Sequence, residues 1–417
     1  MKFWLSLTLT LLFFTGCTTT NTAQPYKPTT FNLSSSKASA PTRSTTTYPG
    51  SQTEHDLAPS SPITIDSTIR STTLAMATPT PGTSIEAPTQ MSQESSPSAA
   101  FIPPPLNDDN SMIKIAVLVP QRTIKKYAIS SVNSVIAYLL YKNYYFDLNV
   151  FNSGDEKAES LNQSLKEIQA GGYHYIIAPL TAEGASIVAL NETQIPIFIP
   201  TLHHSTLPNA GSNILFGGID YDQQIALLAQ KTNTRVGTFE DGSSLSYQLN
   251  GYVKKYTPNV FYEKRIENAK ANFKQIFKGN GSFNNASLFL NTPLVTSSLI
   301  ASQLRANSLN PHVLLSTQIN YNPLLLTLTQ YEDRDRMYVA NSIQKAPAAL
   351  EESNALFGHD IVYDWVNYAT NIGIDYVCYD FFEGKAERLF SEPLINNQVI
   401  YNTSLYQPGR NEFIRIP

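Results

Sequence analysis

The sequence predicts an α/β fold: two lobes of parallel sheet flanked by helices, preceded by a disordered linker. Three observations carry this expectation. From Met112 onward, strand-like and helix-like segments alternate at the spacing of βαβ units. The first strand-like run, "MIKIAVLV", is continuously apolar and β-branched, the pattern of a strand buried on both faces. The folded part, 112–417, is larger than one hydrophobic core usually supports.

Before that part come two segments of other kinds. The chain opens MKFWLSLTLTLLFFTGCTTT, with a cation at Lys2, an apolar run from Phe3 to Phe14, then Thr15, Gly16 and Cys17. Such a run suits an export signal and is too short to span a bilayer as a stable helix. Small residues before a cysteine resemble the lipobox of bacterial lipoproteins. The resemblance implies a signal peptide over 1–16, cleavage before Cys17, and acylation of Cys17 by chains such as palmitate. Phe14 departs from the usual Leu of that motif. Thr18 follows the cysteine where retained inner-membrane lipoproteins carry Asp, which by the same resemblance implies an outer-membrane anchor with the folded domain in the periplasm.

Residues 17–111 are dominated by Thr, Ser, Pro and Ala, as in "SSSKASAPTRSTTTYPG" and "FIPPPLNDDN". They cannot bury enough apolar surface to offset their conformational entropy, so a disordered tether is expected. Its typical span is about 50 Å.

Composition excludes several classes. Lys and Arg number 29 against 33 Asp and Glu, without a long basic run, so no nucleic-acid footprint is present. The two cysteines are Cys17 and Cys378. With Cys17 acylated, no intramolecular disulfide is expected and the domain must rely on its core. Cys378, in "IDYVCYDFF", reads as a buried small hydrophobe. The sequence carries no G-x-S-x-G elbow, Walker loop or H-E-x-x-H, and no cofactor or metal is expected.

Within 112–417, the first strand leads to a helix over "TIKKYAISSVNSVIAYLLYK" and a strand at "YFDLNVF". In "EKAESLNQSLKEIQA" the residues Ala158, Leu161, Leu165 and Ile168 form one helical stripe. Strand "YHYIIA", helix "AEGASIVALNE", strand "IPIFIP" and helix "DYDQQIALLAQK" follow. The alternation continues from "RVGTF" through "RMYVA". A long helix is then expected at "SNALFGHDIVYDWVNYATNIG". In "QVIYNTSLYQ", Val399, Tyr401, Thr403 and Leu405 alternate as in a half-exposed strand, giving an antiparallel finish.

The ordered series "IKIAVLVP", "YIIAPLTAEGAS", "IPIFIPTL" and "RVGTFEDGSSLSYQLNGYVKKY" is similar to the type I periplasmic binding protein fold. The tail, "ALFGHDIVYDW" with "QVIYNTSLYQ" and Arg415, resembles the LpoA-type activators of penicillin-binding proteins within that fold, alongside Leu-Ile-Val-binding-like lipoproteins. The helical-repeat N-terminal domain of some LpoA-type members has no counterpart here. By the topology of the fold, lobe 1 would comprise about 112–231 and 341–396, and lobe 2 about 232–340 and 397–417. A ligand would sit in the crevice at the carboxyl ends of the strands, where helix N-termini offer free N–H groups.

Candidate crevice residues follow from those strand ends. In "PQRTIKK", Gln121 and Arg122 lie beside Lys125 and Lys126, at a helix start where each cation costs about 0.3–1 kcal/mol. That cost points to an anion nearby, a ligand carboxylate or an acidic partner, or else to a solvated basic helix end. Thr181 is placed to cap the helix that follows, and Glu183 suits its first turn. The same two residues could instead hold a carboxylate and an ammonium. Thr201 and His203 end the next strand; adjacent His203 and His204 point apart and cannot easily share a metal. Glu240 and Asp241 begin an Asp-Gly turn in "FEDGSS", and acidic residues near here hold the ligand's amine in amino-acid binders of this fold. Asn291 with Thr292, Thr317 with Gln318, and Asn341 complete the lining.

Two function classes follow. One is a non-catalytic outer-membrane lipoprotein that works through an envelope protein partner, with activation of a peptidoglycan synthase, a penicillin-binding protein, as its most specific form. The other is a substrate-binding lipoprotein for an amino acid-like ligand, serving an ABC transporter or a sensor. The length of the tether and the tail pattern favour the first.

Overall fold

The computed structural model describes residues 30–33 and 112–417. The signal peptide, Cys17 and most of the tether lie outside the described residues. Two sheets form. The first runs in the order β1 (Thr30–Leu33), β3 (Phe146–Asn152), β2 (Ile113–Val119), β4 (Tyr175–Ile177), β5 (Ile197–Ile199), β6 (Ile214–Phe216), β13 (Gln398–Val399), β12 (Leu394–Ile395). Pairings from β3 to β13 are parallel, and β1 and β12 close the two edges antiparallel. The second sheet runs β15 (Phe413–Arg415), β14 (Ser404–Pro408), β11 (Met337–Asn341), β10 (Val313–Ser316), β9 (Ser287–Asn291), β7 (Val236–Glu240), β8 (Val260–Arg265). It is parallel from β8 to β11 and antiparallel through β14 and β15.

Each sheet is covered on both faces, as its sequence pattern requires. In β2, Ile113, Ile115, Val117 and Val119 enter one core with Tyr138 of α2 (Lys126–Tyr141) and Tyr368 of α12 (Trp365–Phe381). The alternate residues Ala116 and Leu118 enter another with Leu161, Leu165 and Ile168 of α3 (Ala158–Gly171) and Val188 of α4 (Ala182–Ala189). The expected α3 stripe therefore holds except for Ala158, which is exposed at the first turn. In β9, Leu288 and Leu290 face α8 (Leu294–Ala306), while Phe289 faces α5 (Tyr221–Ala229) and α6 (Ser244–Tyr256). Cys378 is 1% exposed in α12, and burial pushes its thiol up.

Thr30–Leu33 pair with the outer edge of β3, whose unpaired backbone groups accept a further strand. Three expectations are corrected. The helix after β2 is broken: α1 (Gln121–Ile124) ends and α2 begins at Lys125, whose φ is 52°. The long helix near the tail is two, α11 (Ala348–Leu356) and α12, separated where Gly358 takes a φ of 80°. There Asp360 accepts from the N–H groups of Val362, Tyr363 and Asp364 at 3.0, 2.6 and 3.2 Å, diverting them from a continuous helix. Finally, "QVIYNTSLYQ" is not one strand. Gln398–Val399 belong to the first sheet and Ser404–Pro408 to the second, so the chain passes between the sheets after β6, after β11 and after β13.

Buried amide and hydroxyl groups tie these crossings together. Gln224 Nε2 donates to Ser342 Oγ at 2.8 Å, and the Ser342 N–H donates to Gln318 Oε1 at 2.6 Å. Gln318 Nε2 donates to Asn341 Oδ1 at 2.7 Å, and Ser342 Oγ meets Thr403 Oγ1 at 3.0 Å. All three crossings are thus linked by one layer of polar side chains.

Candidate functional site: an aromatic cleft between the sheets

The carboxyl ends of the strands from both sheets face one cleft. Its larger part has a volume of about 760 Å³ and is lined by the α1–α2 junction, the loops after β4 and β5, the first crossing and the start of α6. A second part of about 490 Å³ is lined by the β9 and β10 loops and the start of α12. The two share Lys126, Tyr127, Thr201, Tyr221, Leu245 and Trp365.

Aromatic side chains from helix starts set its character. Tyr127 is the second residue of α2, Tyr221 the first of α5 and Trp365 the first of α12. The rings of Tyr221 and Trp365 meet edge to face, with centroids 6.5 Å apart and planes at 86°. Asp220 and Asp364 cap α5 and α12 by accepting from Gln223 N–H at 3.0 Å and Val366 N–H at 3.2 Å. Burial pushes the Asp364 carboxyl above its ordinary range, against the opposing pull of Lys126 at 3.5 Å. Burial pushes the Tyr221 hydroxyl up as well, and this hydroxyl has no hydrogen-bond partner among the described residues.

The polar residues expected here divide into three groups. Lining the cleft are Thr181, Thr201, His203, Asp241, Asn291, Thr292 and Gln318. Most are committed elsewhere. Thr181 occupies the N-cap position of α4 but makes no side-chain cap: its hydroxyl donates to Glu156 Oε2 and its N–H to Glu156 Oε1 at 2.8 Å. Thr201 Oγ1 donates to the Leu180 carbonyl at 2.5 Å. His203 Nδ1 accepts from Ser205 N–H at 3.2 Å, and burial pushes its pKa down. For Asp241, burial opposes ionisation, but bonds from Ser243 N–H at 3.0 Å and Ser243 Oγ at 2.6 Å hold the carboxyl below its ordinary range. Thr292 Oγ1 meets Ser297 Oγ at 2.8 Å.

A second group is buried away from the cleft. Glu240 is 8% exposed and accepts from Gly242 N–H at 2.8 Å and Ser246 Oγ at 3.2 Å. Asn341 belongs to the polar layer of the crossings, and Thr317 is fully buried.

The third group is on the outer surface. Gln121 accepts from Asn152 Nδ2 at 2.7 Å, and Glu183 is exposed on α4. The anion implied by the basic loop is internal to the protein: Arg122 Nη2 pairs with Asp155 at 3.0 Å, and Lys126 with Asp364. Sequence reasoning missed the aromatic wall. Its signal was an aspartate cap followed by an aromatic residue, in Asp220-Tyr221 and Asp364-Trp365. Among the described residues, no group of three or more His, Cys, Asp or Glu is placed to hold a metal ion, and no helix is long and apolar enough to cross a membrane.

Two lobes of helix-covered, largely parallel sheet joined by three crossings over a central cleft define the type I periplasmic binding protein fold. No family profile and no curated protein matches the sequence, but solved structures do. The branched-chain amino acid transporter substrate-binding protein LivJ from Streptococcus pneumoniae, solved in complex with isoleucine, aligns with a TM-score of 0.55 at 10% identity, covering 73% of this chain and 100% of that one. A branched-chain amino acid ABC transporter protein from Thermus thermophilus with bound valine gives 0.54 at 12% identity, over 73% and 95%. A solute-binding protein of an ABC transporter from Rhodopseudomonas palustris, in complex with 3,4-dihydroxybenzoic acid, gives 0.55 at 13% identity, over 73% and 96%. At these identities the likeness is one of fold.

Proposed function

We propose that this protein is a non-catalytic binding protein of the cell envelope that holds a small organic ligand between its lobes, on behalf of an ABC transporter or a sensor. The observation that carries this is the cleft itself: about 760 Å³, walled by aromatic side chains and lined from both sheets. Ligand pockets of about 300–1,000 Å³ with mostly apolar walls and a few polar groups are the usual form of small-molecule sites. The substrate-binding roles of the solved neighbours agree with it.

Of the two classes raised by the sequence, the cleft therefore favours the second. Activation of a peptidoglycan synthase rests on tether length and tail pattern. The outer-membrane lipid anchor rests on Cys17, outside the described residues.

Thermal shift of the purified chain with amino acids, organic acids, sugars and muropeptides tests the proposal. A ligand at a hundred times its Kd stabilises by about 2.7 kcal/mol. No shift with any compound, together with recovery of a cell-wall synthase after crosslinking in cells, would return the reading to a partner-protein scaffold.

A further inference from the structure

We infer that the loop 357–364 is a latch between the two lobes: Tyr363 seats its ring among aromatic side chains of the second lobe, and the cleft opens by withdrawing it. The loop itself belongs to the first lobe. Ile361 is 1% exposed within the core behind the first sheet, and Phe357 and Trp365 pack against the same core. Its polar contacts run to that lobe too. The Phe357 carbonyl accepts from Asn133 Nδ2 of α2 at 3.3 Å, and the Asp360 carbonyl accepts from Asn367 Nδ2 of α12 at 3.2 Å. Lys126 of α2 pairs with Asp364 at 3.5 Å.

Tyr363, lying between Ile361 and Trp365 in the chain, packs instead against the core of the second sheet. Its ring centroid is 5.4 Å from that of Tyr321 and 6.4 Å from that of Phe413. Those two rings stand 4.6 Å apart, and Tyr406 closes the socket 5.1 Å from Tyr321. Three parts of the second lobe thus build the socket: the loop after β10, β14 and β15.

The unequal footing of the loop makes this contact a latch. On the first lobe the loop is rigid, because Asp360 gathers the N–H groups of Val362, Tyr363 and Asp364 and so presents the ring in a fixed direction. Among the described residues it makes no hydrogen bond to the second lobe. The joint there is ring contact, which breaks without leaving a buried polar group unpaired. The three crossings differ, being covalent and tied by buried hydrogen bonds. Tyr363 also lines the smaller part of the cleft with Tyr321 and Trp365, so withdrawing it removes a wall of that part as the lobes separate.

Distances between spin labels on the two lobes test this without any ligand, so failure here is distinct from failure of the ligand-binding reading. The labels go on Glu183→Cys, at an exposed position of α4, and Tyr247→Cys, at a 57% exposed position of α6, in the full chain carrying Cys17→Ser. Cys378 is 1% exposed and stays unlabelled. Tyr363→Ala is expected to shift the distances to longer values and broaden their distribution, while Tyr363→Phe, which keeps the ring, matches the parent. Tyr321→Leu removes the central ring of the socket from the other lobe and should produce the same shift as Tyr363→Ala. Tyr363 is half-buried in a loop, so replacing it leaves both cores filled. A Tyr363→Ala distribution identical to that of the parent, or an equal shift with Tyr363→Phe, overturns the latch.

Discussion

The hydroxyl and the N–H of Thr181 both donate to the carboxylate of Glu156, which is 6% exposed and lies 25 residues earlier in the chain. The residue best placed to greet a ligand is thereby turned to holding the β4–α4 loop against the loop before α3. Glu156 also fills the space beside Gly184, where a Cβ would stand 2.6 Å from its Cδ.

Glu156→Ala is expected to lose about 1–3 kcal/mol, the cost of leaving the Thr181 N–H without its acceptor. Gly184→Ala alone is destabilising through the clash with Glu156. In the Glu156→Ala background the clash is gone, and the same change becomes stabilising by up to about 1 kcal/mol because Gly184 lies within α4. Urea denaturation of the four proteins of this cycle reads the reversal of sign.

The polar layer at the crossings gives a second expectation. Gln318→Leu removes the acceptor of the Ser342 N–H and the donor to Asn341 while conserving bulk. Stability falls by about 1–3 kcal/mol for each buried group left unpaired. Hydrogen exchange at the Ser342 amide accelerates with it; unchanged protection there would show that the layer does not hold the crossing.

Leu245 borders both parts of the cleft from the first turn of α6 and is half-buried. Leu245→Trp extends into the open volume, so ligand-induced thermal shift is lost while the denaturation midpoint without ligand stays within about 0.5 kcal/mol of the parent. A retained shift would place the ligand elsewhere.

Histidines set a pH dependence. Burial pushes His359 below its ordinary pKa of 6.5, against the raising influence of the Phe357 carbonyl, Asp364 and Asp360, and Ser134 Oγ and Asn354 Oδ1 each lie 3.0 Å from its Nε2. His174 and His203 are lowered too, again chiefly by burial. Below pH 6.5 the unfolded chain then binds more protons than the folded one, so stability is full above that pH and falls as pH drops through the depressed values. Denaturation midpoints at pH 7.5 and pH 5.5 should differ in that direction. His359→Gln should reduce the difference; an unchanged slope would assign it to other groups.

Much of the fold was legible because strand burial and helix stripes are local patterns. The apolar residues of Ile113–Val119 and Leu161, Leu165, Ile168 bury as their periods require, while Met112 just before the strand is exposed. The failures came where a side chain or a distant strand intervened. Asp360 gathers N–H groups that periodicity gave to a continuous helix, and the split of "QVIYNTSLYQ" between two sheets depends on β6 and β11, far away in sequence.

At the site, the sequence by itself determined that polar groups end the strands and that helices begin there, since those are properties of neighbouring residues. Which of those groups face open space was decided by the tertiary structure alone. Glu156 reaches Thr181, Gln318 reaches Asn341, and Tyr221 and Trp365 converge from helices whose first residues are more than a hundred positions apart. Hydrogen bonds and ring contacts are short-ranged, so a side chain's availability to a ligand depends on the partners that folding brings within a few ångströms of it.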